Sequence, residues 1–137
     1  MKSPEHAAIG ALVSGGAVVV LFPTVALGPT LVLWAGGVLL SVFIDLDHFL
    51  IARRMTGDWS NLRRAVSDPR VGLIDQEKVF ADADEVRLRQ YRLLSHLLVG
   101  GTVVVVSSQL AGRMAVFVAV LLYAHVVADL LRDAELA

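Results

Sequence analysis

Ile44-Asp45-Leu46-Asp47-His48 closes an apolar run that begins at Thr30 and carries no charge before Asp45. About twenty apolar residues are enough for a helix to cross a bilayer core. The run therefore reads as a membrane span with two carboxylates and an imidazole at its end. Ionisable groups in or at the rim of a transmembrane bundle are costly, face its interior, and mark functional sites. What the chain does turns on whether its other polar residues converge on this stretch.

The composition fits a membrane chain. Hydrophobic residues make up 56% of the 137 residues, and mean hydropathy is +0.69. Apolar usage in soluble domains, counting glycine, is roughly half. The apolar residues also fall in long blocks that a soluble core of this size does not need. The length allows one domain, 1–137. A net charge of −1 gives no electrostatic basis for nucleic acid as a partner. The absence of cysteine excludes a disulfide framework, a thiolate metal site and a cysteine nucleophile.

Outward from the central stretch, four spans are expected: about 7–22, 30–51, 93–110 and 114–131. The fold class is all-α, an integral membrane four-helix bundle running up-down-up-down. Pro23, Gly28 and Pro29 mark the reversal after the first span. Lys2 before an apolar run, with Ala26 and Gly28 beyond it, also suits a signal peptide. A span is preferred, because cleavage would discard His6 and the leading segment pairs one base with one acid, Glu5. The loop 52–92 mixes nine basic residues, from Arg53 to Arg92, with acids. It reads as a solvated face beside headgroups. Residues 82–91 combine good helix formers with early acids. Trp59 and Tyr91 are candidate interfacial anchors. An even number of spans puts both termini and this loop on one side, with Lys2 and Arg132, and leaves Arg113 on the other. The positive-inside rule makes the loop side cytoplasmic, in a cell inner or cytoplasmic membrane. Small residues one turn apart, Gly10 with Ser14 and Ala11 with Gly15, and the pairs Gly36-Gly37 and Gly100-Gly101, allow close helix approach.

The four histidines, His6, His48, His96 and His125, each belong to a different span. At 1.5 Å per residue from the outer turns, each lies roughly 17–27 Å inward, so they share one layer. Asp129 follows His125 by four residues and shares its helix face. Asp45 precedes His48 by three and shares its face, with Ser41 a turn further out. Asp47 points elsewhere if the helix stays regular. Bundles build metal sites from such inward side chains on several helices. Imidazole and carboxylate without thiolate suit a divalent transition ion, zinc or manganese first, with iron or cobalt also compatible. Seven candidate ligands, His6, Asp45, Asp47, His48, His96, His125 and Asp129, exceed one tetrahedral ion. Either two ions bind, or some carboxylates orient the ligating histidines.

These residues resemble the pattern of the YdjM-type family of small membrane-bound, predicted metal-dependent hydrolases. The matching parts are Glu5-His6-Ala7, Asp45-Leu46-Asp47-His48, Arg92-Leu93-Leu94-Ser95-His96 and His125-Val126-Val127-Ala128-Asp129, in order across nearly the whole chain. Family members often carry proline where Ile44 stands, and a glycine where Leu93 stands. Ile44 should keep the second span regular into Asp45. The resemblance implies a membrane hydrolase but no substrate.

The expected activity is metal-dependent hydrolysis near the cytoplasmic interface. A bound ion polarises the bond under attack and brings the pKa of water towards neutrality. Asp47, or Asp45 if it is not a ligand, is the candidate general base, and Arg92 the candidate holder of an anionic substrate. Headgroup depth points to a phosphoester or lipid-derived small molecule, with membrane lipids as surroundings. Two alternatives come from other classes: a haem-binding electron-transfer protein, since paired histidines also hold haem, and a bundle that metal merely staples.

Overall fold

The computed structural model of the chain describes residues 3–80 and 85–134. In chain order these form α1 (Ser3–Leu21), α2 (Leu27–Phe43), a 3-10 turn (Ile44–Leu46), α3 (Asp47–Thr56), α4 (Ser60–Ser67), α5 (Pro69–Leu73), α6 (Gln76–Val79), α7 (Glu85–Leu110) and α8 (Gly112–Asp133). No strand occurs among the described residues. Four helical stretches are long and apolar enough to cross a membrane: Ser3–Leu21, Leu27–Thr56, Val86–Leu110 and Gly112–Asp133.

These stretches are longer than the spans drawn from hydropathy. α1 begins at Ser3, so His6 lies inside the helix rather than before it. The second stretch continues past Ile51 to Thr56, where Gly57 adopts the left-handed conformation (φ 88°) and its N–H bonds to Arg53 O. Glycine takes that conformation without the Cβ penalty, which ends the helix there. α7 begins at Glu85, so the helix expected over 82–91 is continuous with the third span; its residues 82–84 lie outside the described residues, as does Lys2. Between Val86 and Leu93 no glycine or proline interrupts the chain, and charged helix formers carry the helix beyond the apolar run.

The interior is small. Val18, Ile44, Phe117, Val118, Leu121 and Leu122 form the buried apolar cluster. Large apolar side chains such as Leu12, Val32, Leu98, Leu110 and Tyr123 point outward. Around a water-soluble domain, so much exposed hydrocarbon would drive association; a hydrocarbon surrounding suits it.

Close approach is purchased by small residues at specific points. A Cβ on Gly10 would come within 2.7 Å of Ser41, and one on Gly37 would meet Ser14 and come within 2.9 Å of Leu121. Gly10 facing Ser41 and Gly37 facing Ser14 make α1 and α2 antiparallel. Ser14 Oγ donates to Trp34 O at 2.9 Å, and Trp34 Nε1 donates to Ala11 O at 3.0 Å, tying the same two helices. Gly100 faces Leu122 across α7 and α8, while Gly36 and Gly101 face open space. α8 packs on α1, α2 and α7, and α7 also packs on α3.

The segment after Gly57 folds back on the end of α3. The Ser60 hydroxyl and N–H bond to the Asp58 carboxyl and hold it below the usual carboxylate range. Buried Asn61 donates to Val79 O at 2.6 Å, and Arg64 donates to Lys78 O and Val79 O. That clamp sets Phe80 edge-on to His48 and against Phe49. Trp59 carries the Arg53 guanidinium 4.5 Å above its ring.

Candidate metal centre

Four helical stretches each bring a histidine to one place. His6 lies in the first turns of α1, Asp45 in the 3-10 turn, His48 in α3, His96 in α7, and His125 and Asp129 in α8. His6, His96, His125 and Asp129 are buried, with His6 only 1% exposed. The helix does not stay regular at Ile44: Ile44–Leu46 is a 3-10 turn even without a proline. In a regular α-helix residues two apart point to nearly opposite sides. Here both acids reach a single imidazole. Asp45 Oδ1 lies 3.1 Å from His96 Nε2, and Asp47 Oδ2 lies 3.1 Å from His96 Nδ1.

The contacts around Asp45 define the centre. Its Oδ1 lies 3.2 Å from His125 Nε2 and 3.4 Å from His48 Nε2, and its Oδ2 lies 3.5 Å from His6 Nε2. Asp129 Oδ1 lies 3.2 Å from His6 Nε2, and Asp129 Oδ2 lies 3.6 Å from His125 Nε2. The imidazoles lie in two stacked pairs, His6 on His125 with centroids 4.0 Å apart and His48 on His96 at 5.2 Å.

Proton placement tests whether these residues fit a cation. His125 Nδ1 lies 2.9 Å from the Ser41 carbonyl. A carbonyl only accepts, so Nδ1 carries the proton and Nε2 presents a lone pair. Asp47 Oδ2 accepts from Ser95 Oγ at 2.6 Å and from His96 Nδ1, so a neutral His96, the form that ligates a metal, presents its lone pair on Nε2. The two Nε2 atoms face each other at 3.0 Å, and Asp45 Oδ1 lies within 3.2 Å of both. Three lone-pair atoms so close repel one another unless positive charge sits among them. The outer nitrogens are held by a backbone carbonyl and a carboxylate, the usual support for ligating histidines. Buried His6 Nε2, His48 Nε2 and Asp47 Oδ1 make no hydrogen bond among the described residues. Buried polar atoms without partners are costly, and a cation would engage the two imidazole nitrogens. Two sets of residues are close enough to hold an ion: His6, Asp45, His125 and Asp129, and Asp45, His48 and His96.

Arg92 lies beside the centre. It donates to Asp133 at 2.6 Å, and its Nε lies 3.8 Å from Asp129 Oδ2. A cavity of about 200 Å³ opens between α7 and α8. Arg89, Arg92, Leu93, Val126 and Leu130 line it, and His96 and Asp129 belong to both the cavity and the centre. At the opposite end of α8, across the four stretches, lies Arg113; at this end Arg132 pairs with Glu5 and joins α8 to α1.

No protein-family model, curated protein or solved structure matches this chain.

The seven candidate ligands and Arg92 all lie in or against this cluster. Six of them, His6, Asp45, His48, His96, His125 and Asp129, point their donor atoms at one another. Asp47 joins through the far nitrogen of His96 instead. Sequence reasoning missed three partners. Asp133 stands four residues after Asp129, a spacing that could have flagged it. Ser95 appeared only as the neighbour of His96. Phe80 left no signal, because a loop clamp places it.

Proposed function

We propose that this chain is an integral membrane metal-dependent hydrolase of the YdjM type, a four-helix up-down-up-down bundle with its His/Asp centre near the cytoplasmic interface. The observation that carries this reading is the 3.0 Å approach of His96 Nε2 to His125 Nε2, with Asp45 Oδ1 within 3.2 Å of both. Zinc and manganese are the leading ions for this donor set. When bound, the ion supplies Lewis acidity and makes water a nucleophile near neutral pH.

The chain's own groups then have distinct tasks. His6, Asp45, His48, His96, His125 and Asp129 form the donor set. Asp47 fixes His96 through Oδ2, while its buried Oδ1, without a hydrogen bond among the described residues, is placed to accept a proton from water. The water oxygen forms the new bond to phosphorus, its proton passes to Asp47 Oδ1, and the ester oxygen leaves as an alcohol on taking that proton back. Arg92 exchanges its Asp133 partner for the anionic substrate. The cavity between α7 and α8 supports a phosphoester with an apolar body, because arginines stand beside Leu93, Val126 and Leu130 there. Phe80 lies over His48, on the α3 side of the centre.

The test is hydrolysis of phosphatidic acid in mixed micelles by purified protein, with and without chelator, beside metal analysis. Metal-dependent release of phosphate, lost in Arg92→Gln with metal retained, is the expected result. Bound metal without hydrolysis of any phosphoester tried would favour a staple. A strong Soret band in the purified protein would replace the proposal with haem binding.

A further inference from the structure

We propose that the centre holds two divalent cations bridged by the Asp45 carboxylate. This rests on the metal-site reading above and adds ion number, ligand division and bridge. A single tetrahedral ion takes four ligands, yet six side chains converge here. They divide into a four-residue and a three-residue set, and Asp45 alone belongs to both.

The two oxygens of Asp45 divide in the same way. Oδ2 lies 3.5 Å from His6 Nε2, in the first set, and Oδ1 lies 3.1 Å from His96 Nε2 and 3.4 Å from His48 Nε2, in the second. His125 Nε2 lies nearest the boundary, 3.2 Å from Asp45 Oδ1. Its stacking on His6 and its 3.6 Å approach to Asp129 Oδ2 place it in the first set. Each set contains one stacked imidazole pair.

Each set also contains a buried imidazole nitrogen that makes no hydrogen bond among the described residues. In the first it is His6 Nε2, 3.2 Å from Asp129 Oδ1, and in the second it is His48 Nε2, 3.5 Å from Asp47 Oδ1. One ion placed in either set leaves the other set's imidazole nitrogen unengaged. Carboxylate-bridged ions in hydrolytic sites lie about 3.5–4 Å apart, a spacing that a single Asp45 carboxylate spans.

The halves are unequal. The first set has four protein donors, two of them carboxylates. The second has three, which leaves room for water, and Asp47 Oδ1 faces it. The second position is therefore the more weakly held and the one beside the proton acceptor.

The experiment is a manganese titration of the chelator-stripped full chain in detergent, read by metal analysis and electron paramagnetic resonance. Two ions per chain with an exchange-coupled spectrum are expected. His48→Ala should fall to one ion with an uncoupled six-line signal, and so should His6→Ala. The wild-type spectrum decides the bridge without any variant. One ion per chain with hydrolysis intact overturns the two-ion centre and leaves the proposed function standing. Two ions without coupling overturn the bridge. No bound ion overturns the two-ion centre and the metal-site reading together.

Discussion

At the scale of single residues, Asp45 in the 3-10 turn and Asp47 at the first position of α3 meet different atoms of the cluster. Asp45 lies within 3.5 Å of all four histidines, whereas Asp47 meets His96 on the nitrogen that faces away from the cluster. Removing a carboxylate that supports a ligating histidine costs roughly 10–100-fold in metal affinity. Asp45→Asn should abolish metal binding, and Asp47→Asn should retain metal at saturating concentration. Loss of a general base costs roughly 10²–10⁴-fold in rate, so Asp47→Asn should lower kcat by that order with KM little changed. Metal content and kinetics of both variants in one detergent check this. Equal loss of metal in both would remove the distinction drawn here.

At the scale of elements, close packing of helices is concentrated at a few glycines. Gly10 and Gly37 hold α1 against α2 and α8 near the centre, while Gly36 and Gly101 face outward. Overpacking costs about 1–3 kcal/mol. Gly10→Ala and Gly37→Ala should therefore lower the melting temperature in detergent, and Gly36→Ala and Gly101→Ala should leave it unchanged or raise it slightly. Gly10→Ala should also weaken metal binding, because Ser41, whose carbonyl holds His125 Nδ1, must shift to make room. Melting curves with and without added metal separate the two effects.

At the scale of the whole molecule, orientation in a membrane and pH each carry a prediction. With the centre towards the cytoplasm, a cysteine replacing Arg113 should be labelled from outside and one replacing Arg70 only from inside. The reverse pattern would move the centre to the other face. Ion binding also responds to pH. Ligating imidazoles and carboxylates must lose protons to bind, so acid competes with metal. Affinity should fall by roughly tenfold or more between pH 7.5 and 5.5, and the stabilisation that metal gives over the stripped protein should shrink in the same direction. Isothermal titration across that range measures the first, and paired melting curves measure the second.

The long apolar blocks and the placement of one histidine per block were legible in the sequence, because hydropathy and 1.5 Å rise act locally along a helix. His125 with Asp129 was legible for the same reason: a four-residue spacing places both on one face. Helix ends were less so, since charged helix formers such as Arg87 and Arg89 extend α7 beyond its apolar run. The conformation at Ile44 was misjudged. Regular helix was expected there, but the chain makes a 3-10 turn, where Asp45 and Asp47 reach the two nitrogens of His96. Packing between distant segments selects which oxygen of Asp45 faces which histidines, the pairing of Arg92 with Asp133, and the edge-on contact of Phe80 with His48. Those facts depend on rotations and side-chain conformations that packing between distant segments selects, which no local pattern in the chain encodes.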